Sequence, residues 1–211
     1  MRSTERAREL GEVFTDPREV NAILDLLQDV NFSSNYLEPG CGSGNFLVEI
    51  LKRKLDLVSN LSEVKSSLRS GNLKEYQIKS LIALGSIYGI DISDVNILEA
   101  RERMLADFLF HAKKQTKQLV FDEYFEKAAR FVLERNIILG DMLNEGHKIH
   151  IFEYSELPSM KLKIRVFTYS DLMFPESEIF EDTPSLFGHV PQPITEYLAI
   201  PFEEIGGIKV D

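Results

Sequence analysis

Tryptophan is absent from this chain of 211 residues, and cysteine occurs only once, at Cys41. A single cysteine excludes an internal disulfide and fits a reducing compartment. No run approaches the roughly 18 apolar residues that a membrane span needs, and the N-terminus has no apolar stretch of the signal-peptide type. These absences predict a soluble, cytoplasmic protein with no membrane partner.

Positive charge is also scarce, because 24 lysines and arginines face 34 acids, for a net charge of -10. This balance argues against a globally basic nucleic-acid binder. Residues 151–211 hold 11 acids and only 4 bases, whereas residues 52–79 and 111–118 are locally basic. The basic stretches either meet phosphates or are solvated helix faces. The four histidines lack metal-ligand spacing, so no metal site is expected.

Helix signals recur along the first two thirds of the chain. Asp16, Pro17 and Glu19 combine an N-cap, a proline at the first helical position and a capping box. The apolar positions that follow predict one buried face, formed by Val20, Ile23, Leu24, Leu27 and Val30. Further helices are predicted from Ser43 to about Leu55, after Ser93 or Asp94, and over residues 117–133, the last with Phe121, Tyr124, Phe125 and Phe131 in the core. Residues 56–80 predict a loop with one or two surface helices.

Three strands are predicted: the first ends at residues 36–38, the second is a buried run at residues 86–92, and the third spans residues 136–141. An acid lies at or directly before the end of each, at Glu38, Asp91 and Asp141. Strands separated by helices run parallel, with right-handed crossovers. Ligands bind at the carboxyl ends of such strands. We therefore expect Glu38, Asp91 and Asp141 to lie at one edge of the sheet. Beyond residue 150, where six of the eight prolines lie, residues 161–169 predict an antiparallel strand and residues 174–193 an irregular loop.

A glycine-rich turn follows the first predicted strand, with Gly40, Gly42 and Gly44 at alternate positions. Backbone without a Cβ can approach a ligand closely, and the next helix points free N–H groups at it. Glu38 stands just before the turn, where it repels phosphate and attracts a cation or a hydroxyl. This combination suits S-adenosylmethionine better than a dinucleotide, whose G-x-G-x-x-G fingerprint places the third glycine one residue later. A purely structural turn between strand and helix is the alternative.

The second and third strand ends predict the rest of a nucleoside site. Asp91 can accept hydrogen bonds from both ribose hydroxyls, and Ile92 can lie on the adenine face. Asp141 can accept from the adenine amine, with Met142 as its packing neighbour. Each acid taken alone reads more simply as a helix cap or a solvated loop residue.

Four segments in order resemble the cofactor-binding part of adenine-specific DNA methyltransferases of restriction-modification systems: Gly11 to Pro17, Glu38 to Phe46, Tyr88 to Ile92 and Asn136 to Met142. The match covers roughly residues 10–143. The resemblance implies that Phe14 and Thr15 contact the methionine part of the cofactor. It implies a cofactor site formed by Phe14, Thr15, Glu38, Gly40, Cys41, Gly42, Gly44, Asn45, Phe46, Asp91, Ile92, Asp141 and Met142.

The resemblance also implies a Rossmann-like class I α/β fold, an open and mostly parallel sheet with helices on both faces. Residues 1–150 would form the S-adenosylmethionine-binding domain, and residues 151–211 an acidic extension that completes the sheet edge or packs on it. The family's Asn/Asp-Pro-Pro-Tyr/Phe tetrapeptide, which holds the flipped base, has no counterpart downstream of Asp141. No catalytic residue is therefore assigned. We expect DNA binding to be weak for the chain alone. The alternative is a non-catalytic subunit that acts with a partner chain.

Overall fold

The computed structural model describes most of the chain: residues 15–27, 30–117, 123–145, 148–173 and 191–209. Its strands form two three-stranded sheets. In the first sheet, β1 (Tyr36–Pro39), β2 (Ile87–Asp91) and β3 (Ile137–Leu139) are parallel and lie in that order. The predicted α/β class and the parallel strands are confirmed. Within the described ranges, β1 pairs with β2 alone, so its other edge carries no strand.

Helices connect and cover these strands: α1 (Pro17–Leu24), α2 (Asn45–Asn60), α3 (Ser62–Arg69), α4 (Lys74–Gly85), α5 (Asp94–Thr116), α6 (Glu123–Asn136), α7 (Met142–Glu145), α8 (Tyr169–Met173) and α9 (Phe202–Ile205). The predicted start of α1 is confirmed, because Asp16 accepts from the Arg18 N–H while its own N–H reaches Glu19. The predicted apolar face of α1 is wrong in part. The helix ends at Leu24, and Ile23 and Leu27 are 49% and 45% exposed.

The two faces of the parallel sheet are packed differently. On one face, α2 approaches so closely that a Cβ placed on Gly89 would lie 2.6 Å from Leu47 Cδ1. On the other face, Tyr88 and Ile90 pack against Ile149 and Ile151 rather than against a long helix. Helices were expected on both faces of the sheet, but in the described part of the chain a long helix packs only on the face that α2 covers.

The segment at residues 56–80, predicted as a loop with one or two surface helices, is on the surface only in part: α3 is mostly exposed apart from the buried Val64, whereas α4 contributes to the core. In α4, Tyr76, Ile78 and Leu81 are each 1% exposed. Two of the polar residues that suggested a surface position, Gln77 and Ser80, are buried as well, and the Ser80 hydroxyl donates to the Gln77 carbonyl. The assignment of α4 to the surface was wrong because local hydrogen bonds make buried polar side chains tolerable.

The second sheet is antiparallel and consists of β4 (His150–Leu157), β5 (Lys161–Thr168) and β6 (Thr195–Ile200), in that order. The predicted antiparallel strand at 161–169 is confirmed as β5. This sheet does not extend the parallel one but packs on α4, where a Cβ on Gly85 would lie 2.4 Å from Tyr154 Cδ2. Within the described part of the chain, no helix is both long and apolar enough to cross a membrane.

A fully buried lysine lies at the amino ends of β1 and β2, opposite the predicted ligand edge. Lys54 Nζ donates to the Ser34 carbonyl and to Ser86 Oγ. None of the described carboxylates forms an ion pair with it. Burial without a compensating charge lowers the pKa of Lys54 from 10.5 to about 7.

Candidate ligand site at the glycine turn

The glycine turn has the backbone that the sequence predicts. Gly40, Gly42 and Gly44 have φ angles of 80°, 54° and 83°, in the left-handed region that other residues enter at a cost. A Cβ on Gly40 or Gly42 would meet no atom within 4 Å. The outer side of the turn is therefore open to a ligand.

Gly44 has a different role from the other two glycines. A Cβ at this position would lie 3.0 Å from Ala100 Cβ, and Ala100 is fully buried in α5. The missing side chain lets the start of α2 pack against α5. This close packing fixes where the free N–H groups of the first turn of α2 point.

Asp91 joins the glycine turn to the next helix. Its Oδ2 accepts from the Gly42 N–H at 2.8 Å, and its Oδ1 accepts from the Ser93 N–H at 2.9 Å and from Asn96 Nδ2 at 3.2 Å. A carboxylate offers about four acceptor positions. One position remains here, so accepting from both ribose hydroxyls requires release of one of these three bonds.

Glu38 and Cys41 lie on the same side of the turn as Asp91. Burial raises the pKa of the Glu38 carboxyl above its usual range, and Tyr36 Oη donates to Glu38 Oε2 at 3.4 Å. Burial, followed by the charges of Asp91 and Glu38, raises the pKa of the Cys41 thiol to about 12. The thiol is therefore neutral at pH 7 and a poor nucleophile. The Cys41 thiol therefore lies within electrostatic reach of both carboxylates.

Gly89 makes room for this arrangement, a role that sequence reasoning missed. Gly89 pairs with Glu38 in the sheet, and a Cβ there would lie 3.1 Å from Cys41 Sγ. The same Cβ would also clash with Leu47 of α2. A glycine in the interior of a buried strand is the signal that could have identified it.

The third strand end joins the second through the backbone, since the Gly140 N–H donates to the Asp91 carbonyl at 3.0 Å. Asp141 is partly exposed and caps α7, accepting from the N–H groups of Leu143 and Asn144 and from Asn144 Nδ2. These bonds, led by the Asn144 side chain, lower the pKa of Asp141. The alternative reading of Asp141 as a helix cap thus describes its present contacts.

Apolar side chains surround these acids at the carboxyl edge. Ile92 is 69% exposed, and Leu139 and Leu143 are 57% and 95% exposed. Met142 is partly buried against the cluster of Tyr88 and Ile90. An exposed apolar group beside a carboxylate offers both a face for a planar ring and acceptors for its polar edge.

The remaining predicted residues occupy the start of α2. Asn45 is its first residue, and Phe46 is partly buried against the core. Asn45 Nδ2 donates to the Thr15 carbonyl at 3.2 Å, which brings the N-terminal segment to the turn. Phe14 lies outside the described residues. Of the predicted site, the structure thus brings Thr15, Glu38, Asp91 and the glycine turn together.

Arg103 of α5 also contacts the turn, and sequence reasoning did not identify it. Its Nη1 donates to the Ser43 carbonyl at 2.6 Å, to Ser43 Oγ at 3.2 Å and to Asn45 Oδ1 at 2.9 Å.

A metal site is not found at this edge of the sheet or elsewhere in the described part of the chain. The described residues contain no cluster of three or more His, Cys, Asp or Glu side chains suited to a metal ion.

Comparisons of this chain with protein-family models, with curated proteins and with solved structures find no match. The resemblance to adenine-specific DNA methyltransferases therefore depends on the four motifs and on the site geometry.

Proposed function

We propose that this chain is a Rossmann-like, class I S-adenosylmethionine-dependent methyltransferase domain of the DNA adenine-N6 type found in restriction-modification systems. The observation that carries the proposal is the bond between Asp91 and the Gly42 N–H. It couples a carboxylate at the end of β2 to an open left-handed turn at the end of β1. Both groups lie at the carboxyl ends of parallel strands, which is where open α/β sheets bind their ligands.

The charge around the turn supports a cationic cofactor over a dinucleotide. Glu38 and Asp91 both lie within electrostatic reach of Cys41, and their charges add to burial in raising the pKa of its thiol. Two carboxylates so close to the turn would repel a pyrophosphate, whereas they attract the sulfonium and ammonium groups of S-adenosylmethionine. A nicotinamide-dependent oxidoreductase is correspondingly disfavoured.

Each described group has a part in holding the cofactor. When bound, S-adenosylmethionine supplies a methyl group on a sulfonium sulfur for transfer to an exocyclic amine. Asp91 accepts from the ribose, Ile92 and Leu139 offer apolar contact to the adenine, and Asp141 accepts from its amine through its remaining acceptor position. Glu38 attracts the cationic methionine end. These residues align the donor and exclude water, which is the protein's share of such a reaction.

The acceptor side of the reaction has less support. The family's base-holding tetrapeptide is missing from the sequence, and the parallel sheet of the described residues has three strands. Without a polar acceptor and a stacking aromatic, a flipped adenine has nothing to hold it. This observation favours a second candidate function, a non-catalytic S-adenosylmethionine-binding subunit that acts with a partner chain.

DNA contact by this chain is also expected to be weak. Lys113, Lys114 and Lys117 are exposed at the C-terminal end of α5. A helix of 23 residues is about 34 Å long, so these lysines lie far from the start of α5 beside the glycine turn. They either contact distant phosphates or form a solvated helix end, and the net charge of -10 opposes strong binding.

Methyl transfer therefore gives the test of the proposed function. We expect the purified chain to incorporate tritium from labelled S-adenosylmethionine into duplex and single-stranded DNA only slightly above background. Gly42→Val serves as the binding-defective variant, because a side chain there blocks the open turn. Gly71→Val is the matched control, since Gly71 has a φ of 78° and equally open surroundings but lies in the turn between α3 and α4.

Three results separate the candidate functions. Weak incorporation that Gly42→Val abolishes and Gly71→Val preserves supports the methyltransferase. Cofactor binding with no incorporation at all favours the non-catalytic subunit. Robust incorporation into adenine would contradict the claim that the base-holding groups are missing, and would place them between residues 144 and 211.

A further inference from the structure

A single guanidinium nitrogen holds the start of α2. Arg103 Nη1 serves the Ser43 carbonyl, Ser43 Oγ and Asn45 Oδ1, all within 3.2 Å. Ser43 lies between the second and third glycines of the turn, and Asn45 is the first residue of the helix. The contacts therefore span the junction where the turn becomes a helix.

The same contacts extend to the N-terminal segment. Because Asn45 directs its oxygen at Arg103, its amide nitrogen points the other way and donates to the Thr15 carbonyl at 3.2 Å. Arg103, Asn45 and Thr15 thus form one chain of hydrogen bonds. Their residues are separated by 58 and 30 positions in sequence. Arg103 fixes two segments of the proposed site at once.

Helix stability does not explain a cation at this position. The amino end of a helix carries partial positive charge, so a neighbouring arginine is electrostatically unfavourable there. Gly44 itself offers no side chain to cap α2. Arg103 offsets its unfavourable position by bonding to carbonyl and amide oxygens, and hydrogen bonds from a charged donor are roughly twice as strong as neutral ones.

We infer that Arg103 is a positioning residue of the S-adenosylmethionine site. It holds the Ser43 carbonyl away from the ligand, so that the open glycine backbone and the first N–H groups of α2 face the cofactor. Through Asn45 it holds the segment at Thr15 over the methionine end. This inference rests on the proposed function.

Arg101 provides a matched control on the same helix. It is also partly buried and also donates to backbone carbonyls, at 2.7 Å to Ile137 and 2.9 Å to Glu134. These carbonyls lie at the start of β3 and the end of α6, away from the glycine turn. Loss of either arginine removes hydrogen bonds from α5, but only Arg103 contacts the proposed site.

Calorimetric titration with S-adenosylmethionine tests the inference. Arg103→Met is expected to raise the Kd at least about tenfold, whereas Arg101→Met changes it less than about twofold. Both variants are expected to lower Tm by similar amounts. Arg103→Lys should restore part of the affinity, because all three contacts come from one nitrogen and an ammonium group carries three donors. Equal effects of the two methionine variants on Kd, or no gain from lysine, would overturn the inference.

Hydrogen exchange of the ligand-free protein separates this inference from the proposed function. Arg103→Met is expected to accelerate exchange of the amides of residues 41–48 relative to Arg101→Met. If the wild type fails to bind S-adenosylmethionine while the turn still loosens in Arg103→Met, the proposed function fails and the positioning role of Arg103 stands. Unchanged exchange at the turn would refute the positioning role whatever the ligand.

Discussion

Replacement of Asp91 by alanine is expected to weaken S-adenosylmethionine binding by about tenfold or more. The carboxylate would bond the ribose in the complex, and a hydrogen bond to a charged group contributes roughly 1.5–3 kcal/mol. The variant also loses the three bonds to Gly42, Ser93 and Asn96. We therefore expect a lower free energy of unfolding as well, by about 1–3 kcal/mol.

Asp94→Ala is the matched control for this experiment. Asp94 is an exposed acid at the start of α5, three residues after Asp91. Among the described contacts, its carboxylate accepts only from the adjacent Val95 N–H. Its removal subtracts the same charge without touching the turn. Calorimetry should show nearly unchanged affinity for Asp94→Ala. If Asp91→Ala also binds with wild-type affinity, the ribose lies elsewhere.

The free energy of unfolding is expected to rise with pH between about 7.5 and 9.5 because of Lys54. The folded protein releases this proton near pH 7, whereas the unfolded chain keeps it until about 10.5. Between these values the unfolded state binds more protons, so stability increases with pH, by up to about 1.4 kcal/mol per unit. Below pH 7 the amine is charged in both states and its burial penalty is fully present.

Urea unfolding at several pH values measures this contribution. Lys54→Met keeps the approximate length of the side chain but removes the titrating amine. The free energy of unfolding of the wild type should therefore rise relative to that of the variant as the pH increases. Lys52→Met, an exposed lysine on the same helix, should leave the pH dependence unchanged. Parallel pH curves for wild type and Lys54→Met would show that Lys54 is not buried as a neutral amine.

The parallel sheet could be predicted because each of its strands is recognisable from the local sequence. Ile87 to Asp91 is a short, fully buried run that ends at an acid. Segments with the apolar spacing of helices lie between it and the other two strands. The buried positions of α5 follow the predicted spacing at Ile97, Ala100, Met104 and Phe108. Local pattern and tertiary burial agree in these elements.

The second sheet could not be predicted in full because its strands depend on partners distant in sequence. Only β5 alternates clearly between polar and apolar residues. β6 is mostly exposed, and its pairing with β5 is irregular between Leu162 and Ile164. Tyr124 was wrongly placed in the core, since it lies in the first turn of α6 at 53% exposure with Lys127 Nζ 5.8 Å from its ring.

The residues of the candidate site also fall into two groups, those that the local sequence predicts and those that only the fold identifies. The glycine turn and the three acids are visible because each combines a residue type with a strand end. Arg103 and Gly89 are invisible to this reasoning, because their roles are defined by contacts with residues 40 to 60 positions away, at Ser43 and Cys41. From the sequence alone, Arg103 cannot be distinguished from a solvated arginine on the polar face of a helix.

Calorimetric titration of the wild-type chain with S-adenosylmethionine, and separately with a nicotinamide dinucleotide, tests the central claim most directly. The carboxylates beside an open glycine turn predict measurable binding of S-adenosylmethionine and none of the dinucleotide. Gly42→Val should abolish the heat, whereas Gly71→Val should retain it. Tight dinucleotide binding with no heat from S-adenosylmethionine would contradict the assignment of this site.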